Sequence, residues 1–161
     1  AKRLELAEFP ILKVGNWLGP LIVSAAELGV QNVLLLGYHG KLIKLAGGIF
    51  HTHNHLADAR IEILVYLAIE EKLPLQVIHA FMQSQTIDDA ITVIEQFNYV
   101  QAENLLLRLS NQVEVRSEDY IKKYVSSELK VGSVLFDRKR KIRSIGHNSN
   151  KMFSKICTFK S

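Results

Sequence analysis

The 161-residue chain has one cysteine, Cys157, so it holds no internal disulfide framework and points to a reducing compartment. Three prolines and nine glycines exclude a collagen-like or low-complexity chain, and 48% hydrophobic residues exclude a disordered one. No stretch approaches the roughly 18 uninterrupted apolar residues of a membrane span. Residues 1–6 are charged and show no signal-peptide pattern, so the expected location is cytoplasmic. Acidic residues are absent from Arg138 to Ser161, where eight basic residues stand. The other 137 residues carry 12 basic and 16 acidic side chains, a net of −4. The sequence pI of about 9.2 is therefore a property of the tail and gives no general nucleic-acid signature.

What is present alternates strand-like and helix-like segments around glycine turns. Residues 9–16 read as a short strand, and Leu18–Leu28 as a helix with Pro20 in its first turn and Gly29 as its stop. Val33-Leu34-Leu35-Leu36 is a continuous apolar run of the buried parallel-sheet kind. A helix start follows at Leu42–Ala46, and the longest helical pattern covers Leu56–Leu73, with Pro74 as a break. Residues 75–82 are ambiguous between helix and strand. Thr86 or Asp88 caps a helix carrying Ala90, Ile91, Ile94 and Phe97. Two further helices are expected, over 102–109 and 118–129. Ser133–Phe136 and Lys141–Ile145 form a hairpin, and residues 148–161 show no pattern. The expected fold is α/β, a layered sheet of mostly parallel strands flanked by helices, with a short C-terminal hairpin. The expected division is one domain over 1–147 and an irregular basic tail over 148–161.

Chemistry-bearing residues concentrate between Gly37 and Glu62. Gly37-Tyr38-His39-Gly40-Lys41 follows a strand and opens a helix, where backbone N–H groups favour anions, and Lys41 and Lys44 add charge. It is neither a Walker loop nor a Gly-x-Gly-x-x-Gly fingerprint. Asn16-Trp17-Leu18-Gly19-Pro20 is a second glycine turn between a strand and a helix, fit to lie on the same sheet edge. Arg60 opposes the dipole of its own helix start, which marks it as an anion binder, for a substrate carboxylate or for Asp58. His51, His53 and His55 alternate and would share one face of an extended segment, the basis of an alternative reading as a metal-dependent hydrolase. Against it, one straight strand spreads alternate side chains roughly 7 Å apart, whereas zinc needs converging ligands. The basic run 138–143 reads as a solvated hairpin tip, so a nucleic-acid partner is not expected.

Gly15-Asn16-Trp17-Leu18-Gly19-Pro20, the run Val33 to His53 with Gly40-Lys41-Leu42-Ile43-Lys44-Leu45-Ala46-Gly47-Gly48-Ile49-Phe50 at its centre, and Ala57-Asp58-Ala59-Arg60-Ile61-Glu62 together resemble the CbiD family. The resemblance is close over about residues 9–100 and looser over 101–145. Tyr38 departs from the histidine of the family pattern, and residues 148–161 match no family segment. The resemblance implies methylation of C1 of cobalt-precorrin-5B to give cobalt-precorrin-6A in anaerobic cobalamin (vitamin B12) biosynthesis, with S-adenosylmethionine as the methyl donor. It also implies that the chain is the C-terminal part of a longer protein, with an N-terminal domain as partner and a homodimer left open. On it, Asn16, Gly19, Gly37 and Gly40 are expected to hold the cofactor. Lys41, Lys44 and Arg60 are expected to hold the acidic side groups of the macrocycle, and His39, His53 and Asp58 to serve catalysis. The cobalt arrives inside the substrate, so no metal ligand is expected of the chain.

Overall fold

A computed structural model describes residues 10–53 and 58–159, with side chains as far as 154. Helix α1 (Leu18–Glu27) leads into strand β1 (Asn32–Tyr38). Five helices follow: α2 (His39–Ala46), α3 (Arg60–Glu70), α4 (Leu75–Met82), α5 (Ile87–Phe97) and α6 (Tyr99–Lys122). Strands β2 (Lys130–Phe136) and β3 (Ile142–Ile145) and helix α7 (His147–Phe159) complete the chain.

The sheet is small and mixed, which corrects the expected layered, mostly parallel sheet. Its order is β1-β2-β3, with β1 parallel to β2 from Asn32↔Lys130 to Tyr38↔Phe136. β3 is antiparallel to β2, with Val134 opposite Ile145, and forms the expected hairpin. The hairpin turn is closed by the Arg140 amide donating to the Asp137 carbonyl at 2.9 Å. The strand expected over 9–16 does not form among the described residues; the neighbouring Trp17 makes an isolated antiparallel bridge to His51.

Local chemistry explains most of the helices. Gly29, at φ +76°, ends α1 in a conformation that side-chain-bearing residues avoid. Thr86 caps α5 through a reciprocal pair with Asp89: the Asp89 amide donates to the Thr86 hydroxyl at 3.2 Å and the Thr86 amide to the Asp89 carboxylate at 3.1 Å. Pro74 supplies the extended residue before α4, which resolves the ambiguous 75–82 segment as helix.

Helix α6 corrects the expected two helices over 102–129. No glycine or proline interrupts Tyr99–Lys122, and the buried stripe Ala102, Leu105, Leu106, Leu109, Ser110, Val113, Glu114, Ser117, Ile121 runs its whole length. Three members of that stripe are polar, which is why hydrophobic periodicity alone breaks it. The core gathers α1–α6 and one sheet face around Ile22, Ile43, Leu64, Leu67, Phe81, Ile91, Ile94, Leu105 and Leu109.

Residues 148–159 are not irregular, a further correction. They belong to α7, which lies on β2 where Gly132 makes room for it: a Cβ on Gly132 would meet Ser149 Oγ at 2.7 Å and Met152 Sδ at 3.0 Å. The Glu114 carboxylate anchors its start, accepting the Asn148 amide at 2.8 Å and the Ser149 amide at 3.3 Å. A carboxylate at a helix N-terminus meets both its free amides and its positive dipole end. No helix of the described residues is long and apolar enough to cross a membrane.

Candidate functional site: a cationic cleft at the start of helix α2

An open cleft of about 390 Å³ is lined by Asn16, Tyr38, Gly40, Lys41, Lys44, Thr52, His53 and Arg60. Its volume lies in the range of small-molecule sites, about 300–1,000 Å³. Six of those residues, Asn16, Gly40, Lys41, Lys44, His53 and Arg60, are expected from sequence. Tyr38 and Thr52 are additions.

Four segments build the cleft, the last being the start of α3 with Arg60. Strand β1 ends at Tyr38, whose extended backbone (φ −64°, ψ 128°) turns the chain into α2. Tyr38 makes no side-chain cap bond, so among the described residues the first-turn amides of α2 are left uncapped. Residues 50–52 lie against 16–19 through the Gly19 amide on the Phe50 carbonyl (3.3 Å) and the Thr52 amide on the Asn16 carbonyl (3.2 Å). Trp17 and His51 are directly opposed in this ribbon, so their rings share one face, edge-on at 4.7 Å. Asn16 and Thr52, one residue along, take the other face and line the cleft, the Thr52 hydroxyl donating to Asn16 Oδ1 at 3.3 Å.

The charge of the lining is positive throughout. Lys41 Nζ donates to the Gly15 carbonyl at 2.8 Å, which ties α2 to the ribbon. Lys44 has almost no surface open to solvent, and its ammonium donates to the Thr52 carbonyl at 3.3 Å. Burial lowers the Lys44 pKa from its ordinary value. Arg60 is gripped by Asp58, with Nε and Nη2 each donating to one carboxylate oxygen at 2.7 Å. That hydrogen bonding lowers the Asp58 pKa, so Asp58 stays ionised and holds Arg60 rather than lining the cleft.

Behind the cleft wall lies a cluster that sequence reasoning missed. Asp88, at the start of α5, accepts from the Tyr38 phenol, from His39 Nε2 at 3.0 Å and from Arg138 Nε at 3.0 Å. Burial alone would raise the Asp88 pKa, but the hydrogen bonds from Tyr38 and His39 and the neighbouring cations outweigh it and lower it. Burial lowers the pKa of His39 and raises that of Tyr38, so the imidazole favours its neutral form and the phenol keeps its proton. His39, expected to serve catalysis, is fully buried behind the cleft wall, where its Nε2 bonds to Asp88. The only sequence signal for Asp88 was its competition with Thr86 for the α5 cap.

Gly19 and Gly37 also fall outside the cleft lining. A Cβ on Gly19 would meet the Tyr120 hydroxyl at 2.7 Å and Phe50 Cβ at 3.0 Å, and one on Gly37 would meet Leu42 Cδ1 at 2.7 Å. Both are glycine because side chains fill the space.

The histidine alternation does not survive folding as one face. His51 turns to Trp17 while His53, past the last ribbon bond at Thr52, lines the cleft, and His55 lies outside the described residues. Among the described residues no three His, Cys, Asp or Glu side chains converge on a point, so their geometry lends no support to the hydrolase alternative.

Residues 51–145 match the family model of the CbiD C-terminal domain. The chain belongs to that family. It is 57% identical over 147 residues to a cobalt-precorrin-5B C(1)-methyltransferase of Prochlorococcus marinus strain MED4, covering 91% of this chain and 40% of that protein. A protein of the same name from Prochlorococcus marinus strain MIT 9312 is 56% identical over 154 residues, 96% of this chain and 41% of its own length. One from Synechococcus sp. strain CC9902 is 49% identical over 153 residues, 95% of this chain and 42% of its own length. The chain thus spans about two-fifths of these relatives. The 96% match leaves too few residues for all of 148–161 to lie outside it, which corrects the expectation of a tail foreign to the family. No solved structure matches the chain.

The family model begins at residue 51, yet the cleft draws Asn16, Tyr38, Gly40, Lys41 and Lys44 from before that point and Thr52, His53 and Arg60 from after it. Strand β1 and helix α2 pack into the same core as α6 and β2, so the structural unit is wider than the matched domain.

Proposed function

We propose that this chain is the C-terminal portion of a cobalt-precorrin-5B C1-methyltransferase and that its cationic cleft binds the acidic side groups of the macrocycle. The observation that carries the reading is 57% identity over 91% of the chain to a relative bearing that name. The cleft adds a chemical reason: three cations and a free helix N-terminus, with no carboxylate in the lining, suit acetate and propionate groups.

The donor set also fits the amino-acid end of S-adenosylmethionine, whose carboxylate suits the α2 amides at Gly40 and the side-chain amide of Asn16. When bound, that group supplies a methyl carried on a sulfonium. The chain's own residues bind, orient and move protons. Lys41, Lys44 and Arg60 fix the macrocycle by its acidic groups, with Asp58 holding Arg60 in place. His53, exposed on the cleft, takes or places a proton on the macrocycle. His39 and Asp88 hold the Tyr38 wall. Fixing the acceptor lowers the entropic part of the barrier, which is the main catalytic demand of an in-line methyl transfer. Cytoplasmic location, the partner domain and self-association belong to the same proposal.

The test is a calorimetric titration of the chain with S-adenosylhomocysteine, alongside methyl-transfer assays of the intact MED4 relative. Binding that weakens in Lys41→Ala places the cofactor in this cleft. A folded chain that binds uroporphyrin, a polycarboxylate macrocycle, but not S-adenosylhomocysteine assigns the cleft to the macrocycle alone. Binding neither overturns the assignment of the cleft.

A further inference from the structure

The two outer edges presented by β2 and β1 are treated differently. The Gln31 carbonyl accepts from the Lys130 amide at 2.8 Å, so odd-numbered residues of β1 direct their backbone polar groups toward β2 and even-numbered ones direct theirs outward. On β2 the odd-numbered residues face away from β1, and beyond the short reach of β3 every one of these groups is plugged. The Val131 amide donates to Glu118 at 3.2 Å and its carbonyl accepts from Asn148 Nδ2 at 3.0 Å. The Ser133 amide donates to Glu114 at 2.9 Å and its carbonyl accepts from the Ser149 hydroxyl and the Gly146 amide, each at 2.9 Å.

Nothing equivalent covers β1 among the described residues. Among the described residues the outward amides and carbonyls of Leu34 and Leu36 make no hydrogen bond. The strand also lacks the usual guards of a free edge: Asn-Val-Leu-Leu-Leu-Gly-Tyr has no charge, no proline and no bulge. The far edge, β3, is four residues long and carries Arg143, paired with Glu95. Burial tells the same story. Only Leu35 of the seven β1 residues is buried, against five of seven in β2, although β1 has the unbroken apolar sequence of a strand covered on all sides. Leu28, 84% exposed, and Val30 and Leu36, each 39% exposed, extend the apolar margin.

We infer that β1 is an interior strand in the complete family protein, its open edge paired with a β-strand from the portion of the polypeptide that this chain does not span. The occupant follows from length: the relatives have about three-fifths of their residues outside the match, joined covalently and so at high effective concentration. Backbone pairing supplies affinity, and Leu36 supplies apolar contact. Because β1 ends at Tyr38 in the cleft wall, the added strand would run beside the cleft and bring the rest of the protein to it. This inference rests on reading the chain as part of that longer protein.

Residue-resolved amide hydrogen exchange tests it, comparing this chain, confirmed monomeric by sedimentation, with the intact MED4 relative. Exchange at Leu34 and Leu36 is referenced to Val131 and Val134 of β2, so that a global stability difference cancels. The expected result is that this ratio falls at least about 100-fold in the intact protein, the size of a change from open edge to paired strand. An unchanged ratio overturns the inference. So does protection that appears in this chain with rising concentration and accompanies a dimer, which would make a second copy the occupant. The relative's methyl transfer is measured separately, so the loss of this inference and of the functional proposal are distinguishable.

Discussion

Asp58 and Arg60 form a two-pronged ion pair at the start of α3, with both N–O distances 2.7 Å, and only the arginine of the two lines the cleft. Under the proposed function, Arg60 would therefore meet the macrocycle already oriented. Arg60→Ala should weaken uroporphyrin binding roughly tenfold or more, the worth of hydrogen bonds to a charged group. Asp58→Asn should weaken it by only roughly two- to fivefold, since the pair that orients Arg60 is partly exposed and weak. Fluorescence titration reads both, and equal losses in the two variants would show that Asp58 itself touches the ligand.

Lys44 places function and stability in opposition. Its ammonium is buried at the cleft, and burial disfavours its charge. Replacing a buried ion by an apolar side chain of similar length is often neutral or stabilising. Lys44→Met should raise the urea midpoint of unfolding while lowering uroporphyrin affinity roughly tenfold. A lower midpoint would mean that the ammonium is a net structural support.

His39 makes stability depend on pH. Its folded pKa lies below its unfolded value of about 6.5 because burial disfavours the charged ring. The unfolded chain then binds the proton more readily, so this contribution is present above pH 6.5 and is lost as the pH falls toward the folded pKa. Unfolding free energy should drop as the pH falls below about 6.5, and His39→Gln should flatten that slope. Asp88, whose folded pKa is lowered, adds its loss at lower pH, as acid passes from its unfolded value of about 3.9 toward the folded one. An unchanged slope in His39→Gln would assign the pH dependence to other groups.

Glu114 joins α6, β2 and α7. Its carboxylate accepts the amides of Ser133, Asn148 and Ser149. Glu114→Ala leaves buried donors without partners and should cost about 3 kcal/mol or more. Glu114→Gln keeps one carbonyl acceptor and should cost less. Urea unfolding measures the total, and far-UV circular dichroism reads the loss of α7. A cost below about 0.5 kcal/mol would show that α7 holds its place without this anchor.

Several elements could be read without the fold because their causes are local. The β1 run, the helix stops at Gly29 and Pro74, the Thr86 cap and the 142–145 strand depend on side chains within a few residues of one another. The cationic set Lys41, Lys44 and Arg60 was legible for the same reason, since charge and helix position are written in sequence. The failures share the opposite property. The small sheet was not legible because its one parallel pair, β1 with β2, is joined across five helices, too long a crossover for spacing to forecast. Helix α6 is continuous because Ser110, Glu114 and Ser117 are buried, and no hydrophobic pattern marks polar residues as interior.

The site divides along the same line. Sequence alone determined which residue types gather near Gly37–Glu62. Tertiary structure decided that Gly19 and Gly37 are packing glycines, that His51 packs on Trp17 while His53 lines the cleft, and that His39 stands behind the wall rather than in the cleft. It also brought Asp88 to Tyr38 across 50 positions of chain. Local preference acts through neighbouring backbone and sterics and so leaves its mark in sequence. Contacts between distant segments depend on how helices and strands pack, and that is settled only when the core forms.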